Sequence, residues 1–299
     1  AGTLGGADRD DGNDGNAPGG AGSGAGDKHG GPSESGGAGG AGQIIITYSV
    51  TPMAGTYTIG NDVADDFSSI DEARIEVECS GVSGPVIFEI QSDYDESSET
   101  YPQTFSSITG ASSTNTITYR PAAGFTTLVN DADPGNSVVF FYFDGVDYLI
   151  FDGVPGGSSG ASVISDGKWT IRNTRTTNSA VGPIYLVNDA SSNTFKFLTL
   201  EAETDGFGIV QLATGASTGN DDNTISYCTL QDLTTGGTAG DFPDRGFYST
   251  GSAGMTNSGT TIDNCHFIDI SEDVGSTAST ANIAFEANNS NTTITNNHF

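Results

Sequence analysis

One eight-residue pattern returns four times toward the C-terminal end of the chain: Asn193-Thr194-Phe195-Lys196-Phe197-Leu198-Thr199-Leu200, Asn223-Thr224-Ile225-Ser226-Tyr227-Cys228-Thr229-Leu230, Thr260-Thr261-Ile262-Asp263-Asn264-Cys265-His266-Phe267 and Thr292-Thr293-Ile294-Thr295-Asn296-Asn297-His298-Phe299. The starts lie 30, 37 and 32 residues apart, a spacing that suits a solenoid whose coils carry loops of unequal length. A second pattern runs in step with it, at Gly182-Pro183-Ile184-Tyr185-Leu186, Gly208-Ile209-Val210-Gln211-Leu212, Gly246-Phe247-Tyr248-Ser249 and Asn282-Ile283-Ala284-Phe285. Each unit therefore holds at least two short β-prone runs separated by Gly, Ser, Asn and Asp turns.

Stacking such units sets like residues above one another at the interstrand spacing of about 4.8 Å. Strand alternation then sends Ile225, Ile262 and Ile294 into one interior row and turns Ser226, Asp263 and Thr295 outward. Cys228 and Cys265 take the same place in successive units, as do Thr199, Thr229, His266 and His298. The expected fold is an all-β, right-handed parallel β-helix of about seven coils.

The chain of 299 residues has 9 Lys plus Arg against 38 Asp plus Glu, a formal charge of -29. That balance excludes nucleic acid and anionic lipid as partners, because both are bound through basic groups. No run approaches the ~20 apolar residues of a membrane span, so membrane insertion is not expected. With 43 Gly and abundant Ser, Thr, Asn and Asp, the composition points to a secreted, extracellular or cell-surface setting, and the start at Ala1 is read as that of a processed chain. The three cysteines, Cys79, Cys228 and Cys265, are too few for a disulfide scaffold; Cys228 and Cys265 read as stacked, buried thiols, with a bridge between adjacent coils as the alternative.

Residues 1–42 form a Gly-rich low-complexity arm with Leu4 as the one large aliphatic residue, too little apolar surface to offset its ordering entropy. Within it Asp8, Asp10, Asp11 and Asp14 cluster as candidate calcium ligands, although Gly12 sits where a calcium loop places its third ligand. No other cofactor is indicated. Residues 43–84 read as N-terminal strands, Gln43 to Val50 and Thr56 to Ile59, followed by a capping helix over Phe67 to Cys79. That helix has Ser68 as its N-cap and Ile70, Ala73 and Val77 on one face. It would cover an open sheet end that otherwise templates aggregation. The β-helix is expected over 85–299, with strands at Pro85 to Ile90, Asn115 to Arg120, Val138 to Phe143, Tyr148 to Phe151 and Trp169 to Asn173.

The stretches Gly55-Thr56-Tyr57-Thr58-Ile59-Gly60, Asp66-Phe67-Ser68-Ser69-Ile70-Asp71-Glu72-Ala73, Gly81-Val82-Ser83-Gly84-Pro85-Val86, Gly110 to Tyr119, Asp147-Tyr148-Leu149-Ile150-Phe151-Asp152-Gly153 and Trp169-Thr170-Ile171-Arg172-Asn173-Thr174 carry a resemblance. Over roughly residues 53–299 the chain resembles the β-helix region of large bacterial surface proteins exported by the type IX secretion route. There such a region commonly precedes other modules and a C-terminal sorting domain. The resemblance implies fold and location and says little about activity. The Gly-rich arm departs from that pattern, and Phe299 falls in mid-coil, so the last coil is expected to lack a cap of its own. An uncapped end leads to the further expectation of self-association, the N-terminal region of one copy docking on the C-terminal end of the next to form a filament.

The same fold carries polysaccharide hydrolases and lyases, so activity must be judged from residues. Asp221 and Asp222 are the candidate catalytic pair, since glycoside hydrolysis needs paired carboxylates. They sit in a Gly/Asn turn, where Asp is an expected turn former, and the Gly-His-Gly and Arg-Ile-Lys elements that accompany such a pair in polygalacturonases are lacking. Lyase chemistry needs a strong base, and Arg120, Lys168, Arg172, Arg175, Lys196 and Arg245 show no clustered spacing. The His266 and His298 ladder suits a metal only with further ligands. Tyr142, Tyr148, Tyr185, Tyr227 and Tyr248, with Phe247, are candidates for a carbohydrate-binding platform, against the alternative that they pack inward or against neighbouring coils. The expectation is a non-catalytic structural or adhesive surface protein; the alternative is a carbohydrate-active or carbohydrate-binding β-helix acting on polysaccharide.

Overall fold

The computed structural model describes residues 13–24, 35–45, 50–135, 139–175, 182–203, 207–233, 242–271 and 280–299. The chain divides into two units, Ala1–Ser49 and Val50–Phe299. In the first unit, backbone hydrogen bonds join Gly15 N to Ala38 O at 2.7 Å, Ser23 N to Asn13 O at 2.9 Å and Gly40 N to Gly20 O at 2.6 Å. The strand expected from Gln43 to Val50 is not formed where it is described: Gln43 to Ile45 and Val50 are irregular, and Ile46 to Ser49 lie outside the described residues. Ile44 and Ile45 are 89 % and 75 % exposed, so this described part of the run is not buried against a sheet.

The second unit is a parallel β-helix. Among the described residues its first sheet stacks eight strands, at Met53–Ile59, Val82–Ile90, Ile117–Pro121, Leu149–Asp152, Thr194–Lys196, Thr224–Ser226, Thr261–Asp263 and Thr293–Thr295. The second sheet holds Leu128–Ala132, Trp169–Asn173, Leu198–Ala202, Thr229–Gln231 and His266–Ile268. The third holds Gln103–Ser106, Phe141–Asp144, Ile184–Val187, Gly208–Leu212, Arg245–Ser249 and Ala281–Phe285. Among the described residues, neighbouring strands in these sheets pair in parallel, one coil to the next. Because Met53–Ile59 already pairs with Val82–Ile90, the solenoid begins some thirty residues before the expected start at 85.

The interior row is continuous. Tyr57, Phe88, Tyr119, Phe151, Phe195, Ile225, Ile262 and Ile294 occupy one register position across the first sheet. Its first part is an aromatic stack, with Phe88 and Tyr119 centroids 4.8 Å apart and Tyr119 and Phe151 5.3 Å apart. Ile225 and Ile262 are buried as the alternation requires. Ile294 has the expected register but is 46 % exposed, because it lies on the last strand of the sheet and is covered from one side only. Cys228 and Cys265 are free, buried thiols on adjacent rungs.

Two corners are closed by buried asparagines, which turn the backbone without leaving orphaned polar groups. Asn193 Oδ1 accepts from Leu149 N at 3.0 Å while its Nδ2 donates to Val146 O at 2.8 Å. One rung on, Asn223 Oδ1 accepts from Asn193 N at 3.0 Å and its Nδ2 donates to Ala190 O at 2.9 Å. Asn220 and Asn257 repeat the device at a neighbouring corner, where Asn257 Oδ1 accepts from Asn220 N at 2.9 Å. Asp189 adds a charged version: its carboxylate accepts the backbone N–H groups of Ala216, Ser217, Thr218 and Gly219 at 2.8–3.1 Å. Burial works to raise the Asp189 carboxyl, and the N–H bonds together outweigh it and hold it below the usual range.

At the N-terminal end, helix α1 spans Ile70–Ser80, with Ile70, Ala73 and Val77 buried as expected. The cap is Ser69 rather than Ser68: Ser69 Oγ accepts from Glu72 N at 3.0 Å, while Glu72 reaches back to accept from Ser68 N at 2.8 Å. Glu99, from the loop over 91–102, supplies a second cap by accepting Ile70 N at 2.5 Å and Asp71 N at 3.1 Å. The same loop docks through Tyr94 and Tyr101, whose hydroxyls accept from Asn130 Nδ2 at 2.9 and 3.0 Å; Trp169 Nε1 in turn donates to Asn130 Oδ1 at 2.7 Å.

Glu96 in this loop accepts from Asp131 N and from the Tyr101 hydroxyl, faces Asp131 and Glu99, and burial pushes its carboxyl up to about 7 from the ordinary 4.5. The folded state therefore holds a proton that the unfolded chain has released, so this contribution to stability is full below pH 4.5 and lost as pH rises through about 7. Glu99, also raised by burial, acts in the same direction. The depressed carboxyls of Glu72, Asp189 and Asp263 act only where pH falls below their unfolded values, near 4. The expected result is a lower urea midpoint at pH 8 than at pH 5, with the difference reduced in Glu96→Gln; equal slopes in the two proteins would refute the assignment.

Candidate functional groove

From the strand Thr194–Lys196 onward the corner between the first and second sheets is short and holds one left-handed residue per coil: Phe197 (φ 56°), Tyr227 (53°), Asn264 (53°) and Asn296 (55°). Only a residue with positive φ redirects the chain so sharply, and the stack holds it there: Phe197 N donates to Ser226 O, Tyr227 N to Asp263 O and Asn264 N to Thr295 O, at 3.0–3.1 Å. The side chains form a column on the outer surface. The rings of Phe197 and Tyr227 lie 4.7 Å apart and 9° from parallel, and Asn264 and Asn296 continue the column.

Opposite the column stands the loop over residues 153–168, inserted between Leu149–Asp152 and Trp169–Asn173. Both ends of the loop press on the Phe197 carbonyl oxygen: a Cβ on either Gly153 or Gly167 would fall closer than 3.0 Å to it. Gly153 N bonds Lys196 O at 2.9 Å and Lys168 N returns to Gly153 O at 2.8 Å, closing the base. At the tip, Asp166 accepts from Ser162 N and Val163 N at 3.0 and 3.1 Å, and Lys168 Nζ donates to Ser165 O at 2.6 Å. These bonds hold the Asp166 carboxyl below the usual range.

Between loop and column runs a groove of about 510 Å³, lined by Ser162, Val163, Ile164 and Ser165 on one side and by Tyr227, Asn264, His266 and Asn296 on the other. Asp263 organises the polar side. It accepts from Asn264 Nδ2 at 2.6 Å, Thr295 Oγ1 at 2.6 Å and Asn296 Nδ2 at 3.0 Å. Its carboxyl is held low by the Thr295 hydroxyl first, with the amides adding to it and burial opposing. The His266 and His298 rings lie on adjacent rungs, tilted by 48° with centroids 5.2 Å apart.

The remaining candidates scatter. Tyr142, Tyr185 and Tyr248 do share one outward row of the third sheet, with Gln211 between Tyr185 and Tyr248. They do not form an open platform: Tyr142 and Tyr185 ladder at 5.4 Å, Tyr248 is 8 % exposed under the Arg245 guanidinium at 4.6 Å, and Gln211 is buried. Phe247 points inward and is fully buried. Tyr148 lies at a different corner, in a left-handed column with Ser192, Asp222 and Asn291. Asp222 is thus a turn residue, φ 54° and exposed, while Asp221 accepts Ser258 N at 2.8 Å. Four of the basic candidates are engaged by neighbouring coils, Arg120 with Glu89 at 2.6 Å, Lys196 with Asp152 at 3.3 Å, Arg175 with Asp133 at 3.4 Å and Arg172 with Asp131 at 2.7 Å and Glu201, while Lys168 bonds within its own loop and Arg245 lies over Tyr248. Asp8, Asp10 and Asp11 lie outside the described residues, and Asp14 accepts Ala38 N at 2.8 Å. Among the described residues no three metal-ligating side chains converge.

Of the groove residues, the sequence singled out Tyr227 and His266 and missed Asn264, Asn296 and the loop wall. The signal for the two asparagines was the fifth position of the repeat, which runs Phe197, Tyr227, Asn264 and Asn296 and so aligns them with Tyr227. Compared with known proteins, the chain matches no family model, no curated protein and no solved structure.

Proposed function

We propose that this chain is a non-catalytic structural or adhesive element of an extracellular surface, part of a protein of the kind that the type IX secretion route exports. The observation that carries the reading is the way outward side chains are spent on neighbouring coils. Arg172 spans Asp131 and Glu201, Tyr142 lies in ring contact with Tyr185, Asp189 is wrapped by four backbone N–H groups, and Asp263 accepts from the Thr295 hydroxyl and two amides. Such a surface favours a stiff, durable rod, and the strong acidity keeps copies soluble at high density. The solenoid then serves as a spacer that presents its flank to whatever it adheres to.

Two measurements test this together. Beads coated with the chain should adhere to cells or extracellular matrix above a charge-matched control. The purified chain should release neither reducing ends nor unsaturated products from polysaccharide; release abolished by Asp222→Ala would replace the adhesive reading with an enzymatic one.

A further inference from the structure

We propose that the groove between the loop over 153–168 and the Tyr227 column binds a neutral polysaccharide, one chain laid along the solenoid axis. The proposal rests on the adhesive reading and names its ligand. Three properties of the groove select the chemistry.

The first is its two-sidedness. Val163 and Ile164 make one wall apolar, and Tyr227 and His266 offer ring surface opposite. Sugar rings combine apolar C–H faces with polar edges, so a wall of each kind matches a pyranose better than a purely polar or purely apolar ligand.

The second is the orientation of the amides. Asn264 and Asn296 each give an N–H to Asp263, which leaves their Oδ1 atoms without a partner among the described residues. The Tyr227 hydroxyl and the Ser162 and Ser165 hydroxyls are likewise without one. The groove thus offers fixed carbonyl acceptors beside hydroxyls that donate or accept, a set that sugar hydroxyls satisfy. The amide repeats on two successive rungs, at Asn264 and Asn296 about 4.8 Å apart, which suits a polymer of similar repeat.

The third is charge. The chain carries -29 overall, and the acids nearest the groove, Asp166 and Asp263, already accept hydrogen bonds from their own surroundings. A uronate or sulfated chain would meet repulsion with no Lys or Arg lining the groove to offset it. A cationic peptide would find no unengaged carboxylate among the lining residues. The walls are also set before binding, by Asp166 at the loop tip, the closed loop base and the Asp263 hub, so little ordering entropy is lost on binding.

Titration calorimetry of the full chain with cellohexaose, mannohexaose and maltohexaose tests the proposal, with hexagalacturonate and hexalysine as charged comparisons. At least one neutral hexaose should bind. Val163→Asp, at a site 52 % exposed and so without consequence for folding, should weaken that binding at least tenfold at unchanged thermal midpoint. Asn296→Ala, also exposed, should weaken it severalfold. Failure of all three neutral hexaoses, binding by a charged hexamer alone, or undiminished binding by Val163→Asp would each overturn the assignment. Bead adhesion that persists in Val163→Asp while hexaose binding is absent from the parent would sink the glycan groove and leave the adhesive reading standing.

Discussion

Asn223→Ala should lower the unfolding free energy by about 2–6 kcal/mol, the cost of orphaning two buried backbone groups at about 1–3 kcal/mol each. The two groups are Asn193 N, which donates to Asn223 Oδ1, and Ala190 O, which accepts from its Nδ2. Both are sealed inside a corner where the ring of polar groups is completed by Asn193 itself, bonded to Leu149 N and Val146 O. Water has no access to replace the missing amide, since Asn193 and Asn223 are fully buried. Asn223→Asp should be comparably damaging, because it keeps an acceptor, loses the donor and buries a charge. Coils contact only their neighbours, so the loss should open the solenoid locally before it unfolds as a whole. Hydrogen exchange should show protection lost first at Ala190 to Lys196 and Thr224 to Ser226. Exchange rising uniformly along the rod, or a midpoint unchanged within error, would count against a buried ladder.

Gly153→Ala should cost about 1–3 kcal/mol, in the range of an overpacked site, and should also displace one wall of the groove. The added methyl has nowhere to go: it meets the Phe197 carbonyl and the Leu198 side chain, and Phe197 is held in place by the Ser226 carbonyl and the Tyr227 ring. The loop must therefore move rather than the rung. Binding of a neutral hexaose should fall more than global stability does, because the base of the loop shifts while the interior row is untouched. Gly124→Ala, at a left-handed glycine with open space around it, measures backbone strain without a packing clash. Gly153 is not left-handed, so its loss rests on packing alone, and unchanged stability and hexaose binding in Gly153→Ala would refute the contact with Phe197.

The interior of the rod could be read from residues alone. Ile225 and Ile262 recur at one place in an alternating run, and a period of two leaves a single register in which both are buried. The structure extends the row to Phe195, Phe151, Tyr119 and Phe88, where the residue type changes but the place does not, an extension the sequence reading did not make. The corners were harder. Nothing in Phe197 or Tyr227 as residue types announces positive φ, which bulky side chains seldom adopt; only their alignment with Asn264 and Asn296 does. The start of the solenoid was misplaced because Met53–Ile59 is followed by a helix rather than by a second strand. The apolar run at Gln43 to Ile45 shows the converse, a strand-like composition with no described partner to pair with it. The groove itself was out of reach, since one wall is a loop whose path depends on where its two ends are pinned.

Arg172 gives the rod a mechanical character. Its guanidinium holds Asp131 on the coil before and Glu201 on the coil after, and Gln231 extends the line by donating to Glu201 Oε1 at 2.7 Å. A pull that peels coils from one end would meet, at these four rungs, a rivet whose members must part together rather than one by one. Peeling force should rise in a step there, and the step should shrink in concentrated salt while the force on the flanking coils changes little.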